Sequence, residues 1–185
     1  MTGFIAILIG AALANNAVLS HLLGLDPALR ADVRLRDAGL LGLTTACIVL
    51  FAAAACWLIE HLLLVPFDLD WLRVLVWLLV VAALAPWPRM LLHRRADAAL
   101  SPALLIGNGL VLGAVALNAR SDFMTTLARS FGTAAGFGIM LLLFTAMHDR
   151  LEGADVPAPF RGVPILLISA GIMALGFMGF AGFGR

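Results

Sequence analysis

The chain has 185 residues, of which 63% are hydrophobic and only 12% are charged, and its mean hydropathy is +1.05. Soluble domains are about half apolar and about a quarter charged, so this composition excludes a soluble globular domain. The formal net charge of +1 excludes a protein that binds nucleic acid by electrostatic attraction, and two cysteines are too few for a disulfide framework.

Six apolar runs follow one another along the chain, and each has the length of about one helical crossing of a bilayer. The connecting segments are too short to fold into a domain outside the membrane. The sequence therefore predicts an all-α integral membrane protein in which residues 1–185 form a single membrane domain with six transmembrane helices. The predicted spans are 3–23, 38–59, 71–87, 101–118, 131–147 and 163–183.

The distribution of arginine predicts the orientation, because loops rich in basic residues stay on the cytoplasmic side. The loops after the first, third and fifth spans carry eight arginines, and the opposite side carries four. Both termini are therefore predicted to lie on the outer, periplasmic side. The eight are Arg30, Arg34, Arg36, Arg89, Arg94, Arg95, Arg150 and Arg161, and the four are Arg73, Arg120, Arg129 and Arg185.

The two halves of the chain resemble each other weakly. Asn-Ala-Val-Leu at 16–19 is similar to Asn-Gly-Leu-Val-Leu at 108–112, and Val-Pro occurs at both 65–66 and 156–157. Because each half would hold three spans, the two repeats, about 1–90 and about 100–185, must be inverted in the membrane. Inverted repeats place a functional site near the midplane, at helices that polar residues or glycine interrupt.

Polar residues inside the first and fourth spans are the candidates for such a site. An unsatisfied amide is costly in hydrocarbon, so Asn15, Asn16 and Asn108 must face protein or water. They either line an ion or electron path or form hydrogen bonds that hold helices together. His21 and Asp26 could relay a proton, but two ligands do not make a metal site. The alternative is an interfacial histidine and a loop carboxylate.

The second span carries both cysteines and a charged end, and neither feature predicts a site. Cys47 and Cys56 are nine residues apart, which is about 900° along a helix, so they point to opposite faces and cannot ligate one cluster. An unpaired buried cysteine behaves as a small hydrophobe. Glu60 and His61 are expected to be a solvated helix end. No catalytic residue and no metal site is predicted.

Several segments together resemble the RnfA/NqrE family, whose members are membrane subunits of the Rnf electron transport complex and the sodium-pumping NADH:quinone oxidoreductase. The resemblance runs from Asn15 to Gly182 and is weakest between about 87 and 101. The motifs that carry it are Ala-Asn-Asn-Ala-Val-Leu at 14–19, Leu-Leu-Gly-Leu-Asp-Pro at 22–27, Asn-Gly-Leu-Val-Leu-Gly-Ala-Val-Ala-Leu-Asn at 108–118 and, most specifically, Ala-Asp-Val-Pro-Ala-Pro-Phe-Arg-Gly at 154–162.

This resemblance implies six helices in two inverted repeats, with half-helices in the first and fourth spans. It also implies a bacterial inner membrane location and, as partners, the other Rnf-like subunits, among them an RnfE-type membrane subunit. In the family this pair of subunits holds one [2Fe-2S] cluster in a complex that couples ferredoxin and NAD redox chemistry to Na⁺ or H⁺ transport. The chain would then be an enzyme only as a subunit of a redox-driven translocase.

The positions of the family's cluster ligands carry no cysteine in this chain. Asp26 stands in the Leu-Gly-Leu-Cys-Pro motif where the family has Cys, and Gly109 follows the asparagine of the fourth span. Because Cys thiolates hold iron–sulfur clusters, this chain is expected to bind no cofactor. Either electrons bypass this subunit, or the chain is a degenerate non-redox paralogue that serves as a membrane scaffold or small transporter. A cluster held by the partner with other ligands is least favoured.

Overall fold

A computed structural model of the chain describes residues 2–24, 35–87, 109–119 and 121–180, and every regular element in these ranges is helical. Two π-helical turns extend the first and third α-helices, at Gly10–Ala14 and Glu60–Leu64, and two 3-10 turns lie at Asp70–Leu72 and Ala158–Phe160. The α-helices in the described ranges are α1 (Thr2–Ile9), α2 (Ala17–His21), α3 (Leu35–Ile59), α4 (Arg73–Leu84), α5 (Gly109–Asn118), α6 (Phe123–Glu152) and α7 (Val163–Met178).

Two of these helical segments are long and apolar enough to cross a bilayer, judged by length and composition. They are Ala38–Leu64, with a mean hydropathy of 2.2, and Phe123–Leu151, with a mean hydropathy of 1.7. Three shorter apolar helices lie at Phe4–Ala14, Gly109–Asn118 and Val163–Met178. The prediction of an all-helical protein is therefore confirmed for the described residues, and two helical segments have the length and composition of membrane spans. Six complete spans in two inverted repeats stay a prediction.

The fifth predicted span is longer than its apolar run. Helix α6 has 30 residues, so it is about 45 Å long and exceeds a hydrocarbon core of about 30 Å. It begins before the apolar run because the Asp122 side chain accepts a hydrogen bond of 3.0 Å from the Thr125 N–H. The hydrogen bonds from Thr125 hold the pKa of Asp122 below its usual value.

Helices α3 and α6 form the antiparallel centre of the bundle. The Trp57 ring, near the end of α3, lies 4.9 Å from the Phe123 ring at the start of α6. Fifteen residues away on each helix, Gly42 packs on Gly138, where a Cβ on Gly42 would lie 3.3 Å from the Gly138 Cα. The Trp57 indole N–H also donates to the Ser121 carbonyl oxygen at 3.1 Å.

Helix α1 runs parallel to α6 along a pair of glycines. A Cβ on Gly132 would lie 2.5 Å from the Leu8 carbonyl oxygen, and a Cβ on Gly136 would lie 2.6 Å from the Ala12 carbonyl oxygen. Small residues let helix backbones approach this closely. The start of α1, the segment 65–72 and Ser121 therefore lie at one end of the bundle, which we call the Ser121 end.

The remaining helices pack in pairs around this centre. Helix α1 packs on α6 as α5 packs on α3, and α7 packs on α2 as α4 packs on α5, whereas the packing of α4 on α3 has no comparable counterpart between α7 and α6 among the described residues. When the first three predicted spans are exchanged for the last three, the α1–α6 pair corresponds to the α5–α3 pair. The α7–α2 pair then corresponds to the α4–α5 pair. Helix α2 begins directly after Asn16, which is its N-cap.

We expect Gly136→Ala to destabilise the fold, because the added methyl group collides with the Ala12 carbonyl oxygen and the Asn16 amide. Overpacking of this kind costs about 1–3 kcal/mol. Gly138→Ala is the matched control, since a Cβ there meets no atom within 4 Å among the described residues. Thermal unfolding in detergent measures both. Equal midpoints for the two variants would contradict the close approach of α1 and α6.

Candidate functional site

The first predicted span contains a break at two consecutive asparagines. The π-helical turn ends where the Asn15 N–H donates to the Gly10 carbonyl oxygen at 2.7 Å. Asn16 is extended, with φ −62° and ψ 117°, and α2 begins with the next residue. A helix end leaves backbone groups without helical partners, so a break inside an apolar span needs other groups to satisfy them. The interruption that the sequence predicts in this span is therefore confirmed.

The Asn16 side chain satisfies backbone groups on both sides of this break. Its Nδ2 donates to the Ala12 carbonyl oxygen at 2.8 Å, and its Oδ1 accepts from the Val18 N–H at 3.0 Å. The residue is only 2% exposed. Both amide atoms are thus used within the first span. These hydrogen bonds join the π-helical turn to the start of α2.

Asn15 and His21, by contrast, both line an open cavity of about 440 Å³ at the Ser121 end. Asn118, Arg129 and Thr133 contribute the other polar groups of its lining. Asn15 and His21 therefore share one polar space. Asp26 and Asn108 lie outside the described residues.

Arg129 and Asn118 were not among the residues that the sequence singles out. Arg129 falls just before the predicted fifth span, yet it lies on α6, and its Nη1 donates to the Ser121 hydroxyl at 3.0 Å. Asn118 is the last residue of α5 and is 4% exposed. The helix cap at Asp122 is the one sequence signal that extends α6 far enough to include Arg129. No acidic side chain lines this cavity within the described residues, so its lining carries positive charge.

A second cluster of polar side chains surrounds the end of α3, where Glu60 is buried. Its side chain is 7% exposed, and its Oε1 lies 2.9 Å from Nη2 of Arg73. The expectation of a solvated helix end is wrong for Glu60, because the segment 65–72 folds back and places Arg73 over it. Arg73 also bonds to the exposed Asp70 at 2.9 Å. His61 remains exposed and stacks on Trp57 with ring centroids 3.9 Å apart.

Of the two positions at which the family carries its cluster cysteines, the structure describes Gly109. Gly109 has no ligand atom, and a Cβ at this position would meet the Leu23 side chain at 3.7 Å. A Cβ on Gly113, one helical turn later, would collide with the same leucine. Cys47 is exposed and Cys56 is buried, so the prediction that they face opposite ways is confirmed. No group of three potential metal-ligating side chains occurs in the part of the chain that is described.

Comparisons with known proteins match nearly the whole chain to one family. The family described as Rnf-Nqr subunit, membrane protein, matches residues 4–183. The chain is 38% identical over 189 residues to the A subunit of the ion-translocating oxidoreductase complex of Aeromonas salmonicida. It is 40% identical over 190 residues to the protein of that name from Shewanella loihica, and 39% identical over 189 residues to that of Azoarcus sp.. Each match covers 98% of both chains.

We expect Asn16→Ala to lower the free energy of unfolding by about 1–3 kcal/mol, because buried backbone groups on both sides of the break lose their partner. Asn15→Ala is the neighbouring control. It faces the open cavity and is expected to change stability by no more than about 0.5 kcal/mol. Chemical denaturation of the two variants measures the difference. A larger loss for Asn15→Ala would show that the break depends on Asn15 instead.

We expect Glu60→Gln to destabilise the protein by about 1–3 kcal/mol, because it leaves the partly buried Arg73 guanidinium with only the exposed Asp70 as its counter-charge. Adding Arg73→Met should recover part of this loss, since the double variant buries no unpaired charge. A double-mutant cycle from thermal unfolding gives the coupling between the two side chains. Additive effects of the two substitutions would mean that the ion pair contributes nothing to folding.

Proposed function

We propose that this chain, which belongs to the Rnf-Nqr family of membrane subunits, is a membrane subunit of an ion-translocating electron transport complex. The observation that carries this proposal is the similarity over 98% of the chain to proteins named as the A subunit of the ion-translocating oxidoreductase complex. The complex would couple electron transfer of the ferredoxin and NAD type to movement of Na⁺ or H⁺.

The proposed arrangement is six spans in two inverted three-helix repeats, about 1–90 and about 100–185, in a bacterial inner membrane. The exchange symmetry of two helix pairs supports the repeat. The arginine count supports periplasmic termini. The Ser121 end then faces the periplasm, because it contains the start of α1.

The proposed partners are the other subunits of an Rnf-like complex, in particular an RnfE-type membrane subunit. Wide apolar surfaces on two helices support contact with such a partner or with lipid. On α4, Leu75 and Leu79 are 53% and 59% exposed, and on α7, Ile172 and Leu175 are 64% and 69% exposed. Large exposed apolar patches are typical of membrane or subunit contacts.

We further propose that this chain holds no iron–sulfur cluster at Asp26 and Gly109 and that electrons bypass it. The apolar contact of Leu23 with the start of α5 supports this reading, since it occupies the space beside Gly109. The contribution of the chain to ion movement would then depend on polar groups such as Asn15 and His21, which line the cavity at the Ser121 end.

A second candidate function is a non-redox paralogue that acts as a membrane scaffold or small transporter. The replacement of both ligand cysteines, at Asp26 and Gly109, favours it. A fold alone does not determine activity, so only an experiment separates the two.

The test is affinity purification of the tagged chain from its own host, together with deletion of its gene. We expect an RnfE-type subunit to co-purify in a constant ratio, and deletion to abolish coupled electron transfer and ion uptake in inverted membrane vesicles. Ion uptake that remains coupled to electron transfer after deletion would refute the proposal, and the same result without any co-purified partner would favour the paralogue.

The same preparation tests the absence of a cluster. We expect iron analysis and electron paramagnetic resonance to detect no [2Fe-2S] signal that depends on this chain. Asp26→Cys combined with Gly109→Cys restores both thiolates, whereas each single variant restores only one and serves as the control. A [2Fe-2S] signal that the unaltered chain requires would contradict the proposed bypass.

A further inference from the structure

Asn118 lies between two polar spaces at the Ser121 end. It lines the open cavity of about 440 Å³ and also a small cavity of about 10 Å³. Its Nδ2 donates to the Ala114 carbonyl oxygen at 2.8 Å and to the Ser130 hydroxyl at 3.1 Å, so both amide protons are used. Its Oδ1 is buried and meets no donor among the described residues. The small cavity therefore adjoins an amide oxygen that needs a donor.

A hydroxyl and a carboxylate line the same small cavity. Thr126 is 2% exposed, and its Oγ1 has no hydrogen-bond partner among the described residues. Glu60 lines the cavity from α3, and Arg73 occupies its Oε1. Buried polar atoms almost always have a partner, so two unpaired ones beside a common cavity indicate that something occupies it.

The size and chemistry of the cavity select its occupant. A volume of about 10 Å³ is close to the space that one water molecule needs, and a buried water requires two to four polar partners. An amide oxygen and a carboxylate only accept hydrogen bonds, whereas a threonine hydroxyl can donate. An occupant that donates two hydrogen bonds and accepts one satisfies the amide oxygen, the carboxylate and the hydroxyl. A Na⁺ ion is disfavoured, because Arg73 already neutralises Glu60 and Arg129 makes the adjoining cavity positive.

We propose that one ordered water molecule occupies this cavity, donating to Asn118 Oδ1 and to Glu60 and accepting from Thr126 Oγ1. It exchanges with the open cavity by displacement of the Asn118 side chain. Glu60 is thereby in contact with the aqueous phase at the Ser121 end. The other titratable or charged groups facing Glu60 are Arg73 and Asp70 beside α4, and His61 and Cys56 on α3. No titratable residue of α5 or α6 lines the cavity among the described residues.

This water site has a consequence that rests on the proposed function. In an ion-translocating complex, a buried carboxylate that reaches water from one end of the bundle is a point at which a proton enters or leaves. Glu60 would serve this role, and the proton would reach it through the small cavity. The water itself is a property of the fold and can be tested without the complex being active.

The experiment uses Cys56, which lines the small cavity, as a probe of water. Cys47→Ala leaves Cys56 as the one thiol of the chain. After transfer of the full chain to D₂O, infrared spectroscopy follows conversion of the S–H band to S–D. Thr126→Val removes the hydroxyl and places a methyl group in the cavity. We expect it to slow the exchange about tenfold, as loss of a buried hydrogen bond to the water predicts.

Two further variants keep the test specific. Thr145→Val is the matched control on the same helix, because its hydroxyl bonds only to the Leu141 carbonyl oxygen at 2.8 Å. It should leave the exchange rate unchanged. Ala53→Val fills the cavity from α3 and should slow the exchange as Thr126→Val does. Equal rates in all variants would overturn the proposal, and so would an S–H band that shifts with Na⁺ concentration, since the occupant would then be the cation.

Proton uptake by the complex tests the consequence separately. We expect Thr126→Val to keep electron transfer while lowering coupled proton uptake, with Thr145→Val unaffected. If Thr126→Val slows thiol exchange but leaves proton uptake unchanged, the result would support the water site and contradict the proposed role of Glu60. Failure of the unaltered complex to transfer electrons would refute the proposed function and leave the exchange result standing.

Discussion

A helix that stops inside a bilayer exposes backbone groups that lipid cannot satisfy, and the arrangement of this protein depends on how Asn16 meets that constraint. Its amide accepts from one side of the break and donates to the other. Because the same amide lies against α6, that helix carries glycine at position 136, where a Cβ would be 2.8 Å from the Asn16 Nδ2. The approach of α1 to α6, and with it the wall of the open cavity, follows from this contact.

Several of the buried polar side chains of the described residues lie at the Ser121 end. Glu60 and Arg73 pair there, Asn118 links α5 to α6, and Arg129 faces the open cavity. Charges and amides of this kind are costly in an apolar bundle, so they are expected to pair or to reach water. The two cavities supply that water. An apolar wall, by contrast, surrounds the start of α5, where Leu23 packs on Gly109 and Gly113.

This contrast bears on the role of the protein in its family. The positions that hold a cluster in the family are polar or empty in this chain, and the neighbouring space is filled by a leucine side chain. The polar groups that remain are those near Asn15, His21 and Glu60. The proposed contribution of the chain to ion movement rests on these polar groups.

The sequence by itself determined what depends on local pattern. Apolar length gave the second and fifth spans, the paired asparagines gave the break, and helical spacing gave the opposite orientation of Cys47 and Cys56. Contacts between distant segments depended on the tertiary structure, because they leave no local signal. The burial of Glu60 requires Arg73 to fold back across a turn, and the partners of Gly136 lie more than a hundred residues earlier. Asn118 and Arg129 became candidates only when packing placed both beside the same cavity.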